Sequence, residues 1–364
     1  MPDAQGELDR RGRGNAILPA RRITVIVTAY RRREFLHDAV ASLRAQTLPR
    51  DAIELCVVSD FPTEHEGLDV DFPEIVLLHP DDPAEGRWID AALSATRGEV
   101  VCFLDDDDRF EPHKLEEIAR RFTEDPALGY LHHGFCIEGS ESWARSEVLE
   151  SFANAPMHYL PDRGKSDVAI AAMWGDGAAF NSSSVAIRRR ILEGCAGDLR
   201  EVRGGYSPFL FFAALSSHDA LCSDPTILSR YRRHPGNESP TASWTRREWW
   251  RRSLEIAEIR AHDVDVVLRM VAARRPQIST TVLRSARAAN QLLARLADTP
   301  ASRTSTSRAL RAYLREVGFS GWWSNRGLVG ATMLAATIAP GLPGRLRDIT
   351  QTRRPDRAPA STPR

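Results

Sequence analysis

At 364 residues, 42% hydrophobic and 27% charged, the chain can bury a large core, which excludes disorder of the whole and fits one large domain with an appendage, or two domains. Its formal net charge of zero hides an asymmetry: residues 1–240 carry 27 basic and 40 acidic side chains, whereas residues 241–364 carry 22 and 9. The basic back third shows no recognition motif and no aromatic-basic interleaving on a strand platform, so no nucleic-acid partner is expected.

Residues 1–21 are polar and rich in Gly and Arg, with no hydrophobic h-region, and read as a disordered arm rather than a secretory signal. From Arg22 onward short β-rich apolar runs alternate with helical periodicity, the mark of an α/β fold with a mostly parallel sheet. Ile23–Thr28 is the first predicted strand, and Phe35, Leu36, Ala39, Val40 and Leu43 recur at helical spacing behind it. Strands follow at Ile53–Val58 and Ile75–His79, then a helix over Trp88–Thr96 stopped by Gly98. Glu99–Leu104 is a fourth strand that runs straight into four aspartates, and Pro112 opens a helix with Leu115, Ile118, Ala119 and Phe122 on one face. Tyr130–Ile137, Ala178–Ile187 and Asp224–Arg230 are further predicted strands, with a short apolar segment at Phe209–Leu215. Arginine-studded helices are expected over Trp244–Arg274 and Ile278–Asp298, a small-residue apolar helix over Leu328–Ala339, and a disordered tail at residues 350–364.

Five cysteines (Cys56, Cys102, Cys136, Cys195, Cys222), odd in number and without a C-x-x-C pair, point to buried, reduced thiols and a cytoplasmic location. Of the 49 basic residues only Lys114 and Lys165 are lysines.

The acidic run Asp105-Asp106-Asp107-Asp108 stands at the C-terminal end of a buried strand, the edge where open α/β sheets bind ligands. Acids ahead of a helix can simply complement its dipole. Four in a row repel one another strongly without a cation, and a hard ion such as Mn²⁺ or Mg²⁺ takes oxygen ligands while leaving positions for phosphates. No His/Cys spacing suggests zinc, and Thr28-Ala29-Tyr30-Arg31 is not a Gly-rich phosphate loop, which argues against a nucleotidyltransferase.

Four stretches together resemble the inverting family 2 glycosyltransferases of the GT-A fold: Thr24–Tyr30, Leu55–Asp60, Arg97–Asp108 and Tyr231-Arg-Arg-His234. The resemblance covers about residues 22–240, leaving a helical region at 241–349. It implies a nucleotide-diphosphate sugar donor, with UDP favoured. Thr28, Ala29, Tyr30 and Asp60 would line the base pocket, Asp105 and Asp106 would face the ribose or donor sugar, and Asp107 with His234 would hold the metal. The acceptor would be a glycan, a lipid-linked glycan or a small molecule.

One departure stands out. The family places an acidic pair, its general base, about two dozen residues before the Tyr-Arg-x-His element, and here Ser207 and Pro208 occupy that place. Asp176, between two glycines, is the first substitute and Glu201 the second, while Asp219 is expected to face solvent. A non-catalytic nucleotide-sugar-binding module of the same fold is the alternative. The apolar run Gly327–Ala339, flanked by Trp322, Trp323, Arg326 and Arg345, is too short to span a bilayer but suits peripheral contact with an anionic membrane surface at its inner face.

Overall fold

A computed structural model of the chain describes residues 23–30, 32–63, 66, 68, 72, 75–138, 156–160, 166–175, 177–232, 234 and 246–297. The expected arm, the tail and the Leu328–Ala339 helix with its flanking Trp and Arg residues lie outside the described residues.

The first half of the sheet is parallel. Strand β1 (Ile23–Ala29) lies between β2 (Ile53–Ser59) and β4 (Val100–Asp105), and β3 (Ile75–Leu78) borders β2 at the edge. Beyond β4 the sheet becomes mixed. The strand β8 (Val185–Arg188) pairs antiparallel with both β4 and β6 (Leu128–Glu138), and β6 pairs parallel with β9 (Ala220–Arg232). Two short strands, β5 (Arg109–Phe110) and β7 (Met157–Tyr159), add antiparallel to β9. The described sheet runs β3-β2-β1-β4-β8-β6-β9-β5, with β7 also on β9.

Side chains alternate across this sheet and fill two cores. Val25, Val27, Leu55, Val57 and Leu104 point to one face, where helix α1 (Arg33–Arg44) and helix α3 (Lys114–Glu124) cover them with Leu36, Val40, Leu43, Leu115, Ile118 and Phe122. Ile26, Cys56, Val58, Val101 and Phe103 point to the other, under helix α2 (Glu85–Ala95). Each such fully buried aliphatic side chain contributes roughly 1.5–3 kcal/mol.

That second core continues into a helical layer. Helix α4 (Ser166–Gly175) and the short helices α5 (Arg189–Gly194) and α6 (Ala196–Leu199) precede α7 (Ser207–Leu215), which Pro208 starts and which is buried on all sides from Phe209 onward. Phe209–Leu215 had read only as a short apolar segment, since an all-round apolar run carries no helical period. Helices α8 (Arg246–Arg274) and α9 (Thr281–Ala297) pack on it through Val264, Val267, Met270, Val271 and Leu283, so the C-terminal helices share the core of the α/β domain. Among the described residues no helix is long and apolar enough to cross a membrane.

One expected strand is shorter than its sequence suggests. The run Ala178–Ile187 forms a strand only from Val185; before it Gly177 and Asn181 take positive φ (85° and 59°) and Ser182–Ser184 make a 3₁₀ turn. The Asn181 side chain causes this by accepting from Ser183 N at 3.1 Å, an alternative to ladder pairing open to a short polar side chain. Asp219 also differs from expectation: it is 8% exposed, and both its oxygens accept from Arg190.

At the N-terminal edge of the strands a buried network fixes the sheet. Glu54 Oε2 accepts from Thr24 Oγ1 (2.7 Å), Arg97 N (2.7 Å) and Gly98 N (2.9 Å). Arg189 donates to Gly98 O, Leu93 O, Thr24 Oγ1 and Thr96 Oγ1. Burial pushes the Glu54 carboxyl up, but its three donors and the Arg189 charge outweigh that and hold it below the usual range.

Candidate active site

The opposite edge gathers the predicted site. Parallel pairing sets Thr28 beside Asp105 and Ala29 beside Ser59, so Tyr30, Asp60 and the aspartate run all leave the sheet at the same end. The turn after β4 is tied to β1, since Asp106 N donates to Thr28 O at 3.0 Å. Tyr30 lies against Trp88, ring centroids 6.2 Å apart, and Asp60 N donates to Ala29 O at 3.3 Å, which closes the β1 and β2 ends together.

The four aspartates diverge in role. Asp105 accepts from Ser182 Oγ on both oxygens at 2.8 Å and from Thr28 Oγ1 at 3.2 Å, and its backbone N–H donates to Ser183 Oγ. Asp106, fully buried, turns away from its neighbours and accepts from Tyr30 N (3.2 Å) and Arg32 Nη2 (2.7 Å). Asp107 Oδ2 meets Arg32 Nη1 at 2.9 Å and His234 Nε2 at 3.0 Å. Asp108 is fully buried; its Oδ1 accepts from Arg232 N at 3.1 Å, and the Ser183 hydroxyl lies against its carboxyl. Phe35 supports the far wall, with its ring 4.6 Å from that of His234 and 4.7 Å below the Arg232 guanidinium.

Carboxylate oxygens of Asp105, Asp107 and Asp108 converge within 4.8 Å of one another. Burial first, then the Asp107 charge, pushes Asp105 up to about 6 despite the Ser182 and Thr28 hydroxyls. Burial likewise lifts Asp106 to about 7 against the opposing pull of Arg32. Asp108 is raised well above the carboxylate range by burial and by Asp107 and Asp105. Three buried or half-buried carboxylates whose oxygens converge, with the His234 imidazole against Asp107, form a hard-oxygen set that fits a divalent cation.

The site is backed by a layer that sequence reasoning missed. Lys114 is wholly buried; its Nζ donates to Ser183 O (2.6 Å) and Ser229 Oγ (3.2 Å) and lies 3.2 Å above the Phe110 ring. Burial pulls this ammonium down to about 7. The buried Tyr206 hydroxyl makes no hydrogen bond of good geometry, although it lies beside the hydroxyls of Ser182 and Thr28 near Asp105. Arg32 is not distinguished in the sequence from its arginine neighbours, and it is the turn into α1 that sets it against Asp106 and Asp107.

Asp176 lies outside the described residues. Glu201 follows α6, and its half-exposed carboxylate pairs with Arg269 of α8. The residues at the family's usual position, Ser207 and Pro208, form the first turn of α7.

A strand-end aromatic, a strand-end acid and an acidic turn thus meet on one edge of an α/β sheet. Residues 24–192 match the model of Glycosyl transferase family 2. An uncharacterized glycosyltransferase of Nostoc sp. is 28% identical over 179 residues, covering 47% of this chain and 52% of that protein. One from Haemophilus influenzae is 25% identical over 113 residues, covering 30% and 38%. The chain thus spans about half or less of the length of these relatives. Among solved structures, S. aureus TarS 1–349 in complex with UDP-GlcNAc is similar over 84% of this chain and 92% of that one, at 13% identity and a TM-score of 0.49.

Proposed function

We propose that this chain is a glycosyltransferase that moves a sugar from a nucleotide-diphosphate donor, UDP-sugars in preference, to an acceptor hydroxyl with inversion. The observation that carries this reading is the convergence of carboxylate oxygens of Asp105, Asp107 and the fully buried Asp108 within 4.8 Å of one another at the C-terminal edge of β4. Tyr30 and Asp60 would receive the base, the ring against Tyr30 and an imide N–H donated to the Asp60 carboxylate. Thr28 and Ala29 would form the floor between them, with Asp105 and Asp106 toward ribose and sugar. Asp107 and His234, joined here by Asp108, would hold Mn²⁺ or Mg²⁺, which when bound neutralises charge on the departing diphosphate.

On the acceptor side Asp176 remains the candidate base, its carboxylate taking the proton of the attacking hydroxyl. The replacement of the family's acidic pair by Ser207 and Pro208 favours a second reading, a module that binds the donor without turnover. Incubation of the protein with UDP-sugars, Mn²⁺ and a panel of glycan, lipid-linked and small-molecule acceptors, followed by proton NMR, separates the two. A new glycosidic product of inverted anomeric configuration supports the enzyme; binding with no product from any acceptor supports the module.

A further inference from the structure

The acidic edge already carries a cation of its own. Arg32 stands at the start of α1, 18% exposed, and its guanidinium forks across two carboxylates: Nη2 on Asp106 Oδ1 at 2.7 Å and Nη1 on Asp107 Oδ2 at 2.9 Å. The oxygen it takes on Asp107 is also the one that meets His234 Nε2. Resting on the function proposed above, that oxygen is where a divalent cation would sit. A guanidinium and a divalent ion cannot share it, since like charges a few ångströms apart repel by several kcal/mol at about the dielectric of a protein surface.

The two ends of the fork are unequal. Asp106 is fully buried and oriented by Tyr30 N at 3.2 Å, so its grip on Arg32 is fixed by the backbone of the β1 end. Asp107 is held in place by His234 as well, and can release Arg32 without losing its only donor. A planar guanidinium is also the side chain best matched to phosphate oxygens, which a diphosphate would bring to this same edge.

We propose that Arg32 is an exchangeable counter-ion: it neutralises Asp106 and Asp107 in the donor-free protein, turns one arm to the donor diphosphate when that arrives, and thereby opens Asp107 to the divalent cation. Cation and nucleotide diphosphate then bind cooperatively, each relieving the charge the other leaves uncompensated, and by linkage the coupling is reciprocal.

Mn²⁺ binding followed by electron paramagnetic resonance at about pH 8, with and without saturating UDP, tests this on the full chain. In the parent, UDP should tighten Mn²⁺ binding by about tenfold or more. The Arg32→Gln variant should bind Mn²⁺ alone about tenfold more tightly than the parent and lose most of the UDP enhancement. Arg32→Lys, a point charge unable to bridge both carboxylates, should fall between them and serves if the Gln variant does not fold. Equal Mn²⁺ affinity of parent and variants without UDP, with the UDP enhancement intact in all, overturns the counter-ion role while leaving the donor site standing. A parent that binds neither Mn²⁺ nor UDP overturns both.

Discussion

In a chain whose other basic residues, Lys165 apart, are all arginines, Lys114 occupies the most enclosed basic position among the described residues, fully buried beneath the Ser182–Ser184 turn. An arginine there would have to seat five donors and a larger head against Phe110, Ser183 O and Ser229 Oγ, and could not shed its charge. Overpacking and an obligatory buried charge together set the cost of Lys114→Arg at about 3 kcal/mol or more. Lys114→Met keeps the hydrocarbon stem, and Ser183 O retains the Ser229 hydroxyl as donor, so about 1–2 kcal/mol is expected near neutral pH. The pH dependence is the sharper test. Burial lowers the folded-state value from 10.5 to about 7, so between these values the unfolded chain binds more protons and stability rises with pH. Linkage over that window makes the parent about 2 kcal/mol more stable relative to Lys114→Met near pH 9 than near pH 7. Urea unfolding of the three proteins at both pH values measures it. A parent-to-Met difference that does not change with pH, or an arginine variant as stable as the parent, would refute the reasoning.

Three further predictions follow from the geometry. Asp108→Asn replaces a carboxyl that burial already holds well above the ordinary range with a neutral amide of the same shape, so it should leave the stability of the metal-free protein within about 1 kcal/mol and weaken Mn²⁺ binding at least tenfold, read by melting curves and metal titration. Glu54→Gln should cost about 2–3 kcal/mol in urea unfolding and leave UDP affinity unchanged, because its network lies at the other end of the strands. With Asp105 raised to about 6 and Asp106 to about 7, the native state holds extra protons between the ordinary carboxylate range and neutrality, so metal-free stability falls as pH rises through that window. Mn²⁺ competes with those protons, and its effect on melting temperature should therefore grow from pH ~5.5 to ~7.5; a gain independent of pH contradicts this.

The parallel half of the sheet is plain in the sequence because strands buried on both faces read as continuous apolar runs, as at Ile53–Val58 and Glu99–Leu104. The same property hid α7, where Phe209–Leu215 is apolar all round and shows no period. The aspartates are legible as a set, but their separate roles depend on partners distant in sequence: Ser182 for Asp105, Arg232 for Asp108, His234 for Asp107. Ser182 and Ser183 read as strand interior until Asn181 takes positive φ and turns them toward the site. Glu201 looked available beside Gly204 and Gly205, but spacing alone does not reveal that α8 returns to pair Arg269 with it.

The central claim, a nucleotide-diphosphate donor held with a divalent cation at the β4 edge, meets its most direct test in calorimetric titration of UDP, GDP and dTDP in Mn²⁺ and in EDTA, on the parent and on Asp107→Asn. The account predicts that UDP binds best, that Mn²⁺ tightens it by about tenfold or more, and that Asp107→Asn loses the metal effect while remaining folded. No binding of any nucleoside diphosphate in either medium, or an Asp107→Asn variant with an undiminished Mn²⁺ effect, would contradict it.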